Sequence, residues 1–215
     1  MNILTLQYLL GVIFLTVVFS NIAKKKSASI IGYGVQSMVV TILIFDSYLK
    51  TGNLSLLFIV LLTFVVKVIL APLFSLRLMK QHQVVFSAPT YLNTPLTFII
   101  IATLTAVAHS QKFYPLTTII PAHQSLSALA LSLILISFFL IVNRKGALSQ
   151  IIGVLTFENS IVIFGIFSGL EQSVALQIGI IFDIFVWIII STVFISMIYK
   201  HFGSLDVTSM IDLRD

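Results

Sequence analysis

Long apolar runs dominate the chain, interrupted at intervals by charges and turn residues. Seven stretches read as spanning helices: Leu4 to Ile22, Ala28 to Leu49, Leu54 to Met79, Leu92 to Ala108, Ala122 to Val142, Leu148 to Ser168 and Val174 to Lys200. A span needs ~20 mainly apolar residues, because lipid offers the backbone no hydrogen-bond partner and only helices or closed barrels satisfy it internally. The runs are continuous and do not alternate with period two, which selects helices over barrel strands. Each break has a local cause: a Gly52-Asn53 turn, Pro89 and Pro95 around the fourth span, Pro115 and Pro121 bounding a loop, and Gly146 after Arg144-Lys145.

Composition agrees with the pattern. Of 215 residues, 59% are hydrophobic and 9% charged, with a mean hydropathy of +1.14. Soluble domains carry roughly a quarter charged residues, so that class is excluded. The chain has no cysteine, hence no disulfide and no thiolate-held iron–sulfur cluster, and no metal or cofactor is expected on it. Its histidines, His82, His109, His123 and His201, lack the spacing of a metal site and read as solvated or capping groups. Neither a Gly-rich phosphate loop nor a nucleophile constellation is present.

The formal charge of +5 has a positional meaning. With the N-terminus outside, the cytoplasmic segments hold Lys24, Lys25, Lys26, Arg77, Lys80, Arg144, Lys145, Lys200 and Arg214, against Lys50 and Lys112 on the other side. The basic excess is then a topology signal and nucleic acid is not needed as a partner. Lys24 to Lys26 follow the first apolar run and do not precede it, so the run is expected to be a retained helix and no signal peptide. No period of 20–50 residues repeats. The expected organisation is residues 1–142 with the first five helices, 143–203 with the last two, which the fifth completes as a three-helix unit, and 204–215 as a cytoplasmic tail.

Three ionisable residues remain deep inside spans: Lys67, Glu158 and Asp183. Each costs roughly 2.5 to 3.5 kcal/mol at a helix centre unless a partner or water compensates it. Glu158 lies ten residues from the outer end of its span, Asp183 nine from the outer end of the next, and Lys67 ten from Arg77. At ~1.5 Å per residue these depths are each about 14–15 Å, so a common membrane level is expected. Two acids and a base at one level can form a polar string whose protonation states influence one another. The plainer reading is that they join helices or face another subunit.

Secondary candidates follow. Asp46, near the outer end of its span, reads as interfacial. Gly179, Asp183 and Trp187 share a helix face, and the Trp187 indole N–H is a candidate donor to Asp183. Pro72, five residues after Lys67, frees a carbonyl near residue 68 and is expected to kink the helix beside the lysine. Ser149 with Gly153, and Ala102 with Ala106, have the small-xxx-small spacing of close helix contacts.

The stretch Gly146-Ala-Leu-Ser-Gln-Ile-Ile-Gly-Val-Leu-Thr-Phe-Glu158-Asn159, then Ile181-Phe-Asp183 and Ser204-Leu-Asp206, resembles hydrogenase-4 component E, a seven-span subunit of formate-hydrogenlyase-type membrane hydrogenase complexes. Lys67-Val-Ile-Leu-Ala-Pro72 and Tyr91-Leu-Asn-Thr-Pro95 are similar to that family too, so the likeness covers roughly residues 67 to 213. The last three spans also resemble the small K-type subunit of respiratory complex I. By that resemblance Glu158 corresponds to the first buried carboxylate of the K-type proton path and Asp183 to the second, one methylene shorter than the K-type Glu. Asn159, beside Glu158 in the motif, joins Trp187 and Asp46 as a secondary candidate.

The resemblance implies a non-catalytic subunit in the cell inner (cytoplasmic) membrane, coupling electron transfer elsewhere to proton or sodium movement. Glu158 and Asp183 would relay and Lys67 would set their charge. The nickel–iron centre and iron–sulfur clusters would lie on peripheral redox subunits, and the membrane neighbours would be antiporter-like and complex-I-like chains. Three other readings stand beside it: another complex-I-related assembly without hydrogenase, a scaffold whose charges only fix assembly, and a small independent permease. The paired halves typical of permeases are not found.

Overall fold

The computed structural model describes residues 1–81, 89–120, 123–170 and 173–189. Among these the regular structure is entirely helical. Helix α1 (Ile3–Ile22) starts where the Asn2 side chain accepts from Thr5 N at 2.8 Å, meeting one of the unsatisfied donors of a helix start. Helix α2 (Lys26–Thr51) stops at Gly52, whose φ of 66° is left-handed and suits a residue without a β-carbon. Asn53 then caps α3 (Leu54–Thr63), which runs on through a π-helical segment, Phe64–Leu70, into α4 (Ala71–Gln81). Asn93 caps α5 (Thr94–Ala108), with Pro95 in its first turn.

The long helices α7 (Gln124–Asn143) and α8 (Ala147–Phe167) follow, and then α9 (Val174–Ile189). Among the described residues five helical runs are long and apolar enough to cross a membrane: Ile3–Ile22, Lys26–Thr51, Leu54–Arg77, Gln124–Asn143 and Ala147–Phe167. A sixth is reached if α5 is joined to the helical stretch Gln111–Thr117, from which it is bent by 53°. This is the architecture of a membrane protein.

One expected span and the loop after it differ in detail. The fourth is short: α5 has 15 residues. At ~1.5 Å per residue it falls below the ~30 Å hydrocarbon thickness. Where the prolines predict a loop, the chain instead makes a 3-10 turn (Gln111–Phe113) and the short helix α6 (Tyr114–Thr117). Pro115 fits α6's first turn, because the N–H it lacks would have had no intrahelical partner there. The seventh span begins at Val174 as expected; residues 190–200 lie outside the described residues, as does the tail 204–215.

Helices α7 and α8 cross at close range. A β-carbon on Gly153 would lie 3.0 to 3.2 Å from Ile141, including its backbone, so the glycine permits the approach expected from its spacing with Ser149. Ala102 and Ala106 behave differently: both are exposed on α5 and join no helix pair among the described residues.

The end of the bundle that carries Lys24, Lys25, Arg144 and Lys145, here called the basic end, is tied together by polar contacts. Arg144 is fully buried and donates from its guanidinium to the carbonyls of Ser20 and, at 3.0 Å, Ala23, groups that the end of α1 leaves unpaired. Burial pushes the guanidinium down to about 10, which leaves it charged at neutral pH. Next to it Asn143 accepts from Leu92 N (3.0 Å), Tyr91 N donates to Asn143 O (3.0 Å), and Lys145 lies 5.0 Å above the Tyr91 ring. The segment entering α5 is thereby fastened to the α7–α8 turn.

Apolar packing forms two clusters. The larger draws on α1, α2, α3, α5, α7, α8 and α9, with Leu10, Leu43, Ile59, Leu133 and Ile163 among its members. The smaller, toward the basic end, gathers Ile30 and Tyr33 from α2, Ala71 and Met79 from α4, and Leu148, Ile152 and Leu155 from α8. Along α2 and α8 a short polar layer separates them, and Lys67 and Glu158 sit in it.

Candidate functional site

Lys67 lies in the π-helical segment and is buried to 2% exposure. The local backbone follows from Pro72, which has no N–H to offer the preceding turn. The wider π turn, with Ala71 N–H bonded to Val66 O five residues back, takes up the disturbance expected near residue 68. The expected kink is thus realised as a π turn that contains the lysine itself.

A buried ammonium needs a counter-charge and further acceptors. Lys67 Nζ lies 3.4 Å from Glu158 Oε2 and 3.5 Å from Asn159 Oδ1, both on α8. The side chains of the pair are 3% and 13% exposed, so the contact is largely shielded and is not a screened surface ion pair. Asn159 uses its other end as well: Nδ2 donates to Ser37 Oγ on α2 at 3.0 Å. Three helical runs therefore meet in one polar unit, Lys67 with Glu158, Asn159 and Ser37. Ser137 on α7 donates to Ser160 Oγ at 3.3 Å, joining a fourth helix to the polar face of α8.

Asp183 is placed differently. It is half-buried on α9, within electrostatic reach of both Lys67 and Glu158, but forms no ion pair or hydrogen bond with the described residues. Of the three charges, two are in contact and the third stands off. Trp187 belongs to α9, and its side chain lies outside the described residues. Asp46 is remote from this unit, at the end opposite the basic one, where it pairs with Lys50 at 2.7 Å and the Met1 amine at 2.8 Å.

The sequence reading missed Ser37, Gln36 and Tyr33, all buried on α2. Their signal was available: polar Ser29, Tyr33, Gln36 and Ser37 recur at helical spacing inside an apolar helix. It missed the structural role of Arg144 as well, which reads in sequence only as a loop charge. His109 Nδ1 donates to Thr105 O at 2.9 Å and closes α5; no group of three potential metal ligands occurs among the described residues, and His82 and His201 lie outside them.

Chemically, the unit can hold one proton in more than one place. A carboxylate, an ammonium, an amide and a hydroxyl stand in sequence, each within 3.5 Å of the next, and the acid on α9 lies within electrostatic reach of the first two. Comparison with protein-family models, with curated proteins and with solved structures gave no match.

Proposed function

We propose that this chain is a non-catalytic membrane-arm subunit of a complex-I-like, hydrogenase-type energy-coupling assembly, and that Glu158, Lys67 and Asp183 contribute to its proton or sodium translocation. The observation that carries the reading is the Lys67–Glu158 contact, a charge pair held by three helical runs at the middle of long apolar helices. Intramembrane ionisable residues cost too much to be kept without a use, and transfer of protons or cations is the common one. The likeness of the Glu158 and Asp183 segments to component E and K-type subunits supports the same assignment.

In this reading Glu158 is the loading site. Its carboxylate takes up a proton, which weakens its hold on Lys67, and the ammonium turns toward the Asp183 carboxylate; when the ammonium returns to Glu158, the proton passes from Glu158 to Asp183, which has lost its counter-charge. Electron transfer and its nickel–iron and iron–sulfur centres belong to partner subunits, and antiporter-like neighbours carry the ion onward. The basic end faces the cytoplasm by the excess of Lys and Arg there, and the membrane is the cell inner (cytoplasmic) membrane.

The test is the parent complex reconstituted in vesicles, with ions moved per electron as the readout. Glu158→Gln, or Asp183→Asn, is expected to leave an assembled complex, seen on a native gel, that transfers electrons with coupling lost. Intact coupling in both variants overturns the reading, and loss of the assembled complex in both favours a scaffold.

A further inference from the structure

Deep in the bundle, several polar side chains are enclosed without a hydrogen-bond partner among the described residues. Gln36 is fully buried and neither end of its amide is paired; Thr63 Oγ1 and Thr156 Oγ1 are likewise unpaired and enclosed. The Tyr33 hydroxyl lies close to Ser37 but not in hydrogen-bonding geometry. Nearer the basic end, Ser29 Oγ, Ser20 Oγ and Asn21 Oδ1 repeat the pattern, and a β-carbon on Gly32 would lie 3.1 Å from Ser20 Oγ, so the α1 hydroxyl lies against the α2 backbone.

These groups have an order. Ser29, Tyr33 and Gln36 fall on one stripe of α2, and Ser37 flanks it one turn beyond Tyr33. From Ser29 to Ser37 the helix rises ~12 Å, from near the start of α2 at Lys26 to the residue that receives Asn159 Nδ2. Beyond Asn159 come Lys67 and Glu158. The opposite, lipid-type face of the same helix is apolar and exposed, with Ile31, Val35 and Met38.

An enclosed amide with all its hydrogen-bonding capacity unused costs about 1–3 kcal/mol, and water is the usual remedy where several polar groups converge. Leu or Met would fill the Gln36 position without that cost. We propose that Ser29, Tyr33, Gln36 and Ser37 line an internal file of water molecules on α2 that connects the basic end of the bundle with the Lys67–Glu158 pair. Along it a proton enters at the Ser29 end and shifts each hydrogen bond by one position, so that the last water gives its proton to the Glu158 carboxylate. Only O–H bonds are exchanged and no electron moves.

The role of the file rests on the proposed proton site, whereas its existence does not. Two measurements keep them apart. The first is X-ray hydroxyl-radical footprinting of the full chain in native membranes, in which bound water oxidises the side chains beside it. Tyr33 is expected to be modified, and Leu10 and Leu133, as deeply buried in the apolar cluster, are not. An unmodified Tyr33 overturns the file.

The second uses the cysteine-free sequence. Ser29→Cys and Gln36→Cys are expected to react with a small water-soluble thiosulfonate added from the basic side about tenfold faster than Val35→Cys and Met38→Cys, because reaction needs a hydrated thiolate. Equal rates at all four positions overturn the proposal. Labelling in the expected pattern, together with unaltered coupling in Glu158→Gln, upholds the file and removes the relay reading instead.

Discussion

Lys67 Nζ and Glu158 Oε2 stand 3.4 Å apart although 91 positions separate them in the chain, and each is the charge nearest the other inside the apolar bundle. Removing one partner leaves the other enclosed and unpaired. Lys67→Met and Glu158→Leu are each expected to destabilise the folded chain by roughly 3–5 kcal/mol. The double variant should lose much less than the sum of the two. Thermal unfolding of the purified chain in detergent measures this, and additive losses would show that the pair does not interact.

Asn159 joins α2 to the pair through Ser37. Asn159→Leu strands the Ser37 hydroxyl and removes an acceptor from Lys67, with an expected cost of about 1–3 kcal/mol. Ser37→Ala placed on top of Asn159→Leu should add almost nothing, since its partner is already gone. A double-mutant cycle on unfolding free energies gives the coupling directly.

Arg144 fastens the end of α1 through two carbonyls, those of Ser20 and Ala23. A lysine ammonium is a point donor on a flexible stem and does not reproduce the guanidinium fork. Arg144→Lys is therefore expected to raise hydrogen exchange at the last turn of α1 and the Ala23–Lys25 link while leaving the centre of α7 protected. Unchanged exchange there would mean that apolar packing alone holds α1 in place.

Two glycines make opposite predictions. Gly153 faces the Ile141 backbone at the α7–α8 crossing, so Gly153→Leu forces the helices apart and is expected to cost about 1–3 kcal/mol. Gly11, on α1, has open space where a β-carbon would go. Gly11→Ala should stabilise the chain by roughly 0.5–1 kcal/mol through helix propensity. Melting temperatures of both variants in one detergent decide the pair of predictions together.

Much of the helical layout is legible in the primary structure, and the reason is the solvent. Lipid satisfies no backbone group, so every crossing segment must be apolar and helical, and turns such as Gly52-Asn53 must carry residues that tolerate their geometry. The three buried charges are visible by the same logic, as polar exceptions in apolar runs. Gly153 is marked by its spacing, but Ala102 and Ala106 have that spacing too and remain exposed, because spacing says that a close contact is permitted and nothing about whether a neighbour arrives.

Tertiary structure alone decided the partnerships. Nothing in the order of residues tells Lys67 that Glu158 and Asn159 will receive it while Asp183 stands off, since that depends on the rotation of three helical runs about their axes and on a π turn that shifts the lysine's direction. Arg144 shows the same division: its charge is a local property, readable as loop polarity, whereas its use as the clasp of α1 arises only when carbonyls more than 120 residues away are brought to it. Which segments are helical and where charge is expensive are set by short-range chemistry and the apolar solvent; which groups relieve that expense is set by long-range packing.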